Sequence, residues 1–218
     1  MKKAIYVDMD LCLGCRSCEI GCATAHSESK VLVEAINEKK SSFSRITIDT
    51  KKNGDKIALY CRHCEKAACM DACGPKAIER DAEGAPVRLL ADKCTGSQSC
   101  IKACHFGIVV AGSDGKTRER CDLCTDRENG PACVESCPTK AIELLSDEEV
   151  KAKIDYVVDD DTCTKCGLCF KKCPYDAITW KKKELAVIHE EKCVRCGLCT
   201  IVCKSSSIIN KKKVNEKV

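Results

Sequence analysis

Aromatic side chains are scarce in this chain: three Phe, one Trp and four Tyr among 218 residues. That length suits one large or two small domains, yet so few rings cannot fill an ordinary core, and something else must take part of that role. No stretch approaches the about 20 consecutive apolar residues that span a bilayer. Nothing between Met1 and Cys12 has the form of a secretory or twin-arginine leader. There is no nucleophile elbow, glycine-rich phosphate loop, metalloprotease helix or flavin motif. The expectation is therefore a chain that does no bond chemistry of its own.

What is abundant is cysteine, 23 residues, more than a tenth of the chain. A disulfide framework belongs to short secreted domains, and neither the odd count nor the 32% of charged residues fits one. Reduced thiols, metal sites and a cytoplasmic location are expected. The formal charge of +4 is uneven: residues 151–218 carry 15 Lys/Arg against 9 Asp/Glu, leaving 22 against 24 for residues 1–150. Metal-bound cysteines are thiolates, which that count treats as neutral. The loaded protein is expected to be acidic overall, which argues against nucleic-acid binding.

The cysteines repeat as groups. Cys12, Cys15, Cys18 and Cys22 form the first; Cys61, Cys64, Cys69 and Cys73 the second; Cys94, Cys100 and Cys104 the third. Cys121, Cys124, Cys133 and Cys137 follow, then Cys163, Cys166, Cys169 and Cys173, and last Cys193, Cys196, Cys199 and Cys203. Most groups run into an Ala-Ile pair or a close variant, read as core beneath the groups. Hairpins are expected at 45–50 with 56–60 around Asn53-Gly54, at 77–80 with 87–90, and at 177–181 with 185–189. Short helices are expected after each third cysteine, and Val31, Leu32, Ala35 and Ile36 suggest another, covering a cysteine group, with a loop as the alternative. Ser146 with Glu149 reads as a capping box opening a helix to about Ile154. The division expected is a four-motif domain at 1–145, a helical linker at 146–155, a second domain at 156–210 and a basic tail at 211–218.

Cysteines at i, i+3 and i+6, with a fourth at i+10, turn three thiolates toward one cubane and send the fourth to a neighbour, as in the bacterial ferredoxin run. Zinc sites take four ligands in two separated pairs. Residues 156–210 resemble a bacterial two-cluster ferredoxin. The resemblance implies one 4Fe–4S cluster on Cys163, Cys166, Cys169 and Cys203, and another on Cys193, Cys196, Cys199 and Cys173. Residues 1–145 resemble the four-cluster subunits of molybdenum and tungsten oxidoreductases, formate dehydrogenases, hydrogenases and carbon monoxide dehydrogenase, through Cys61-Arg62-His63-Cys64-Glu65 and the wide gap from Cys124 to Cys133. That likeness implies sets of Cys12, Cys15, Cys18 with Cys137; Cys121, Cys124, Cys133 with Cys22; Cys61, Cys64, Cys69 with Cys104; and Cys94, Cys100 with Cys73. The implied fold is α+β, tandem ferredoxin-like iron–sulfur folds with short hairpins and short helices.

The last set departs from the pattern, because Ser97 stands where a cysteine belongs. A 3Fe–4S cluster leads; a 4Fe–4S cluster with Ser97, water or another ligand, or no cluster, are the alternatives. His26, His63, His105 and His189 are read as non-ligands. Arg16, Arg62, Lys165 and Arg195, inside the motifs, either raise cluster potentials or are simply solvated. Lys181–Lys183 and Lys211–Lys213 either steer an acidic partner or form a solvated basic edge.

The function implied is an electron-transfer subunit of an anaerobic redox complex. It would relay electrons between a catalytic subunit of formate dehydrogenase, aldehyde oxidoreductase, hydrogenase or carbon monoxide dehydrogenase type and a ferredoxin or other soluble carrier. A free-standing polyferredoxin and a conducting scaffold are the alternatives.

Overall fold

The computed structural model describes residues 3–39, 42–52 and 54–215. Clustering of contacts divides the chain into two compact units, the first ending at Leu145 and the second starting at Ser146.

In the first unit, β1 (Lys3–Val7), α1 (Ser17–Ala25) and α2 (Leu32–Ala35) precede the hairpin of β2 (Ile46–Thr50) and β3 (Lys56–Tyr60). The hairpin is antiparallel with Ile46 opposite Tyr60 and Thr50 opposite Lys56. Gly54 takes φ +91°, a conformation open to glycine at no steric cost; Asn53 lies outside the described residues. Then come α3 (Ala68–Asp71), β4 (Ile78–Glu79), β5 (Arg88–Leu89), α4 (Ser99–Ala103), α5 (Ala132–Glu135) and β6 (Ile142–Ser146). β6 pairs with β1, so the ends of the unit meet, while β4 and β5 form a two-rung hairpin between the second and third cysteine groups.

The second unit repeats that plan. α6 (Asp147–Lys153) leads to β7 (Tyr156–Val158), α7 (Leu168–Lys172), β8 (Ile178–Thr179), β9 (Val187–Ile188), α8 (Leu198–Val202), β10 (Ile208–Asn210) and α9 (Lys211–Asn215). β7 pairs antiparallel with β10, and β8 with β9 between the two cysteine groups. Both short hairpins are narrower than their sequence runs, because only the isoleucine of each Ala-Ile pair and the residue after it join the ladder. The capping box forms in full: Glu149 N–H donates to Ser146 Oγ at 3.3 Å, and Ser146 N–H to Glu149 Oε2 at 2.7 Å.

The core is built as much from thiols as from hydrocarbon. In the first unit Ile5, Ile46, Ile48, Tyr60 and Ile142 pack with Cys18, Cys22, Cys133 and Cys137, and a second cluster joins Ile78, Val87 and Val109 with Cys100. Each buried isoleucine contributes about 1.5–3 kcal/mol relative to exposure. Tyr60, 2% exposed, ties hairpin to strand: its hydroxyl donates to the Ile5 carbonyl at 2.6 Å.

Two expectations need correction. The segment after His26 forms α2, but Val31, Leu32, Val33 and Ile36 are exposed, with Ile36 at 75%, so their side chains are not buried against any of the described residues. One turn of helix is too short to bury two faces, and the apolar one is left outward. The basic tail is not simply solvated: Lys211–Asn215 is helical, and Lys212 Nζ donates to the carbonyls of Lys151 and Ala152 at 2.9 and 2.8 Å. A lysine there satisfies carbonyls that the end of α6 leaves open. The last three tail residues lie outside the described residues.

Candidate metal centres

The first, fifth and sixth cysteine loops are shaped by paired left-handed residues. Gly14 and Arg16 bracket Cys15 at φ +71° and +62°; Lys165 and Gly167 bracket Cys166 at +54° and +69°; Arg195 and Gly197 bracket Cys196 at +56° and +75°. These reversals curl the loop so that its thiols converge, and a short helix then starts one residue before the third cysteine, as α1, α4, α7 and α8 do. A second device follows the fourth cysteine. Lys76, Lys140, Asp176 and Ser206, each just before the Ala-Ile pair or its Ser-Ile variant, all have φ between +50° and +56°. A non-glycine residue there costs about 1–2 kcal/mol. The turn aims the next N–H back at sulfur: Ala77 N–H donates to Cys73 Sγ at 3.2 Å, and Ser207 N–H to Cys203 Sγ at 3.3 Å. Ala77, Ala141, Ala177 and Ser207 are all buried.

The cysteines gather accordingly, and none of the 23 is in a disulfide. Four small, partly open pockets are lined by thiols. Cys22, Cys121, Cys124 and Cys133 share one; Cys73, Cys94 and Cys100, with Ser97, another. Cys163, Cys166, Cys169 and Cys203 line the third, and Cys173, Cys193, Cys196 and Cys199 the fourth. Outside these cavities, Cys61, Cys64, Cys69 and Cys104 lie within range of one another's charge, as Cys18 does with Cys12 and Cys137. Cys15 of the first motif is exposed.

Burial pushes up the thiols of Cys61 and Cys133 to about 12, and that of Cys18 to about 11. A thiol that resists ionisation alone releases its proton when a cation binds it. Soft thiolate sets suit iron–sulfur clusters or zinc, and one buried group separates the two. Arg120 is 5% exposed; its Nη1 donates to Cys69 Sγ at 3.4 Å, while Nε and Nη2 have no hydrogen-bond partner among the described residues. Burying such donors is costly without acceptors. An anionic cluster bearing sulfides supplies them, so this donor set fits iron–sulfur clusters.

Around the Cys22 cavity the sequence reading missed a network. His26 Nδ1 lies 2.7 Å from the Cys22 carbonyl and 3.8 Å from its Sγ, with Nε2 3.2 Å from Asp122. Asp122 also accepts from Arg45 at 2.5 Å and from Cys124 N–H at 2.9 Å. Burial alone would lower the His26 pKa, but its hydrogen bonds, Asp122 first, raise it to about 12. The close approach of His26, Asp122 and Cys124 therefore reads as an ion pair beside a thiol set rather than a separate metal site. Cys22 on α1 and His26 at its C-terminal cap are four apart; Asp122, 96 residues beyond His26 and 77 beyond Arg45, carries no local signal.

Other predicted residues separate clearly. His63 is 3% exposed, not on the surface, and accepts from Val87 N–H at 2.9 Å through Nδ1, which places the ring proton on Nε2. His189 approaches Thr179 and Glu191, and His105 is exposed. Arg195 is 8% exposed and clamps backbone carbonyls, with Nε donating to Ile154 at 3.1 Å and Nη1 to Cys193 at 2.7 Å. Arg62 stacks over Tyr60 at 3.9 Å. Arg16 and Lys165 stay at the surface in ion pairs with Glu19 and Asp160, and Lys181–Lys183 are exposed.

Residues 54–147, 120–177 and 156–210 each match a family of 4Fe-4S dicluster domains, and residues 9–25 a 4Fe-4S binding domain. Together with the thiol sets, these matches define a protein carrying several 4Fe–4S clusters. The chain is 39% identical over 153 residues to YsaA of Escherichia coli (strain K12), named as a candidate electron transport protein; the match covers 69% of this chain and 94% of YsaA. It is 35% identical over 157 residues to the electron transport protein HydN of the same organism, covering 65% of this chain and 87% of HydN. AegA, a candidate oxidoreductase also from that strain, is 38% identical over 154 residues, 67% of this chain but only 22% of AegA. The chain belongs to the family of iron–sulfur electron-transport proteins that includes YsaA and HydN, and its function is electron transfer as a ferredoxin-type subunit. Among the described residues no helix is long and apolar enough to cross a membrane.

Proposed function

We propose that the chain is a polyferredoxin-type relay with six cluster sites in two tandem ferredoxin-like domains. The first, residues 1–145, would hold four and the second, 156–210, two. Five would be 4Fe–4S clusters, on Cys12, Cys15, Cys18 and Cys137; Cys22, Cys121, Cys124 and Cys133; Cys61, Cys64, Cys69 and Cys104; Cys163, Cys166, Cys169 and Cys203; and Cys173, Cys193, Cys196 and Cys199. The sixth lies at Cys73, Cys94 and Cys100. A bound cluster accepts and returns one electron at a time.

The observation that carries this reading is the continuity of the thiol sets. Cys133 of the second set lies within range of Cys18 of the first, and Cys121 of the second within range of Cys61 of the third. In the other unit Cys199 and Cys169 bridge two sets in the same way. Cross-completion of each motif by its partner motif keeps paired clusters close, and the Cys121–Cys61 approach joins one pair to the other. Backbone N–H groups around the sets are directed at sulfur, as from Ala77 to Cys73 and from Ser207 to Cys203. Exposed Cys15, with Leu13 70% and Leu11 50% exposed close by in sequence, offers a corner for electron exchange beside an apolar contact surface.

The partners proposed are a catalytic oxidoreductase subunit of the formate dehydrogenase, aldehyde oxidoreductase, hydrogenase or carbon monoxide dehydrogenase type and a soluble carrier, in an anaerobic cytoplasm. Anaerobic native isolation tests this. Co-isolation with a large catalytic subunit that reduces the clusters from its own substrate supports the relay; a lone monomer passing electrons between separate enzymes favours the shuttle instead.

A further inference from the structure

We infer that the centre at Cys73, Cys94 and Cys100 carries an iron–sulfur cluster whose Ser97 corner is an exchangeable metal site, open to solvent and to thiophilic divalent ions. This rests on the relay reading and sharpens it at one position.

The loop keeps the geometry of an intact motif after losing the ligand. Gly96 and Gln98 bracket Ser97 at φ +74° and +58°, the same left-handed pair that brackets Cys15, Cys166 and Cys196. Ser97 therefore occupies the station of the missing second cysteine. That station faces water: Ser97 is exposed, as are Cys15 and Cys166 at the equivalent positions.

The cavity also persists. Like the three lined by four cysteines it is a small pocket, and Ser97, Gln98 and Thr117 lie in its wall with the three thiols. Gly96 keeps the loop close to the neighbouring chain, since a Cβ there would approach the Gly115 carbonyl to 3.0 Å. Buried Thr117 sets its Oγ1 3.6 Å from Cys94 Sγ. A site without a cluster would have no need of this shape.

The chemistry of the corner follows from its donors. A serine hydroxyl is a harder donor than a thiolate and, being neutral, holds soft iron weakly. Three irons are tied to the protein by Cys73, Cys94 and Cys100, whereas a metal at the fourth corner rests on cluster sulfides with Ser97 or water. Such an ion enters by displacing water and leaves by accepting it, with no protein bond to thiolate broken and no electron moved in the exchange itself.

The test uses the full chain isolated anaerobically, followed by native mass spectrometry and electron paramagnetic resonance. After mild oxidation with a chelator present, the expected result is loss of one iron per chain and a 3Fe–4S signal near one spin per chain. After chelator removal and reduction, added Fe²⁺ or Zn²⁺ should return one metal per chain, and that signal should not reappear on mild reoxidation without chelator. Ser97→Cys, which restores the ligand pattern and leaves the core unchanged, should retain its iron under the same chelation at least tenfold longer. Five clusters with nothing at this centre would overturn the inference and leave the relay standing, as would equal iron retention in wild type and Ser97→Cys. Absence of all clusters would overturn both.

Discussion

Arg120 places Nη1 3.4 Å from Cys69 Sγ, a full positive charge buried against a thiol of the Cys61, Cys64, Cys69 and Cys104 set. Burial raises the Cys69 pKa and the guanidinium pulls it the other way. The same charge acts on a bound cluster, where it favours the more negative, reduced state.

Replacing Arg120 by Gln should therefore move the midpoint potential of that centre to more negative values, on the order of 50 mV, with Lys restoring part of the shift. Voltammetry of the immobilised protein reads the shift. Unchanged iron content with an unchanged potential would show that the charge is fully screened.

Gly167→Ala should weaken the centre on Cys163, Cys166, Cys169 and Cys203. Gly167 has φ +69°, and an added Cβ would meet Trp180 ring carbons at 2.6–2.7 Å. Left-handed strain and overpacking together cost roughly 2–4 kcal/mol. Timed iron loss to a chelator should accelerate in this variant, and pairing it with Trp180→Leu should recover part of the loss.

Asp122→Asn should destabilise the first unit by about 2 kcal/mol, because Arg45, His26 and the Cys124 N–H all lean on that carboxylate. Denaturant midpoints of the loaded protein measure it. Arg45→Met combined with Asp122→Asn should cost less than the two single changes added together, as expected of residues in one network.

Tyr60→Phe leaves the Ile5 carbonyl without its hydroxyl donor in a buried setting. The expected cost is about 1–2 kcal/mol, with cluster content unchanged. A drop in iron content instead would mean that the hairpin governs the Cys121 cavity directly, which Tyr60 also lines.

What the sequence revealed was local. Cysteine spacing is a short-range property, so the six groups, the Ser97 substitution, the Gly54 hairpin and the Ser146 capping box could all be read from neighbouring residues. The buried Ala-Ile positions were legible for the same reason. What escaped reading was long-range or conformational. Arg120 meets Cys69 across 51 positions and His26 meets Asp122 across 96, with nothing nearby to announce either. Left-handed turns at Lys76, Lys140 and Asp176 are conformational features that cysteine spacing does not announce; at Lys76 the turn aims the Ala77 N–H at Cys73 sulfur. The outward apolar face of α2 failed as a reading because helical spacing shows that one face is apolar, not what lies against it.

The most direct test of the account is the metal complement of the intact chain, measured anaerobically by native mass spectrometry with iron and acid-labile sulfide analysis. Five cubane clusters and a three- or four-iron sixth predict roughly 23–24 irons per chain with sulfide in near-equal number. Zinc in place of iron, or a chain that saturates at two clusters with the remaining thiols free, would contradict it.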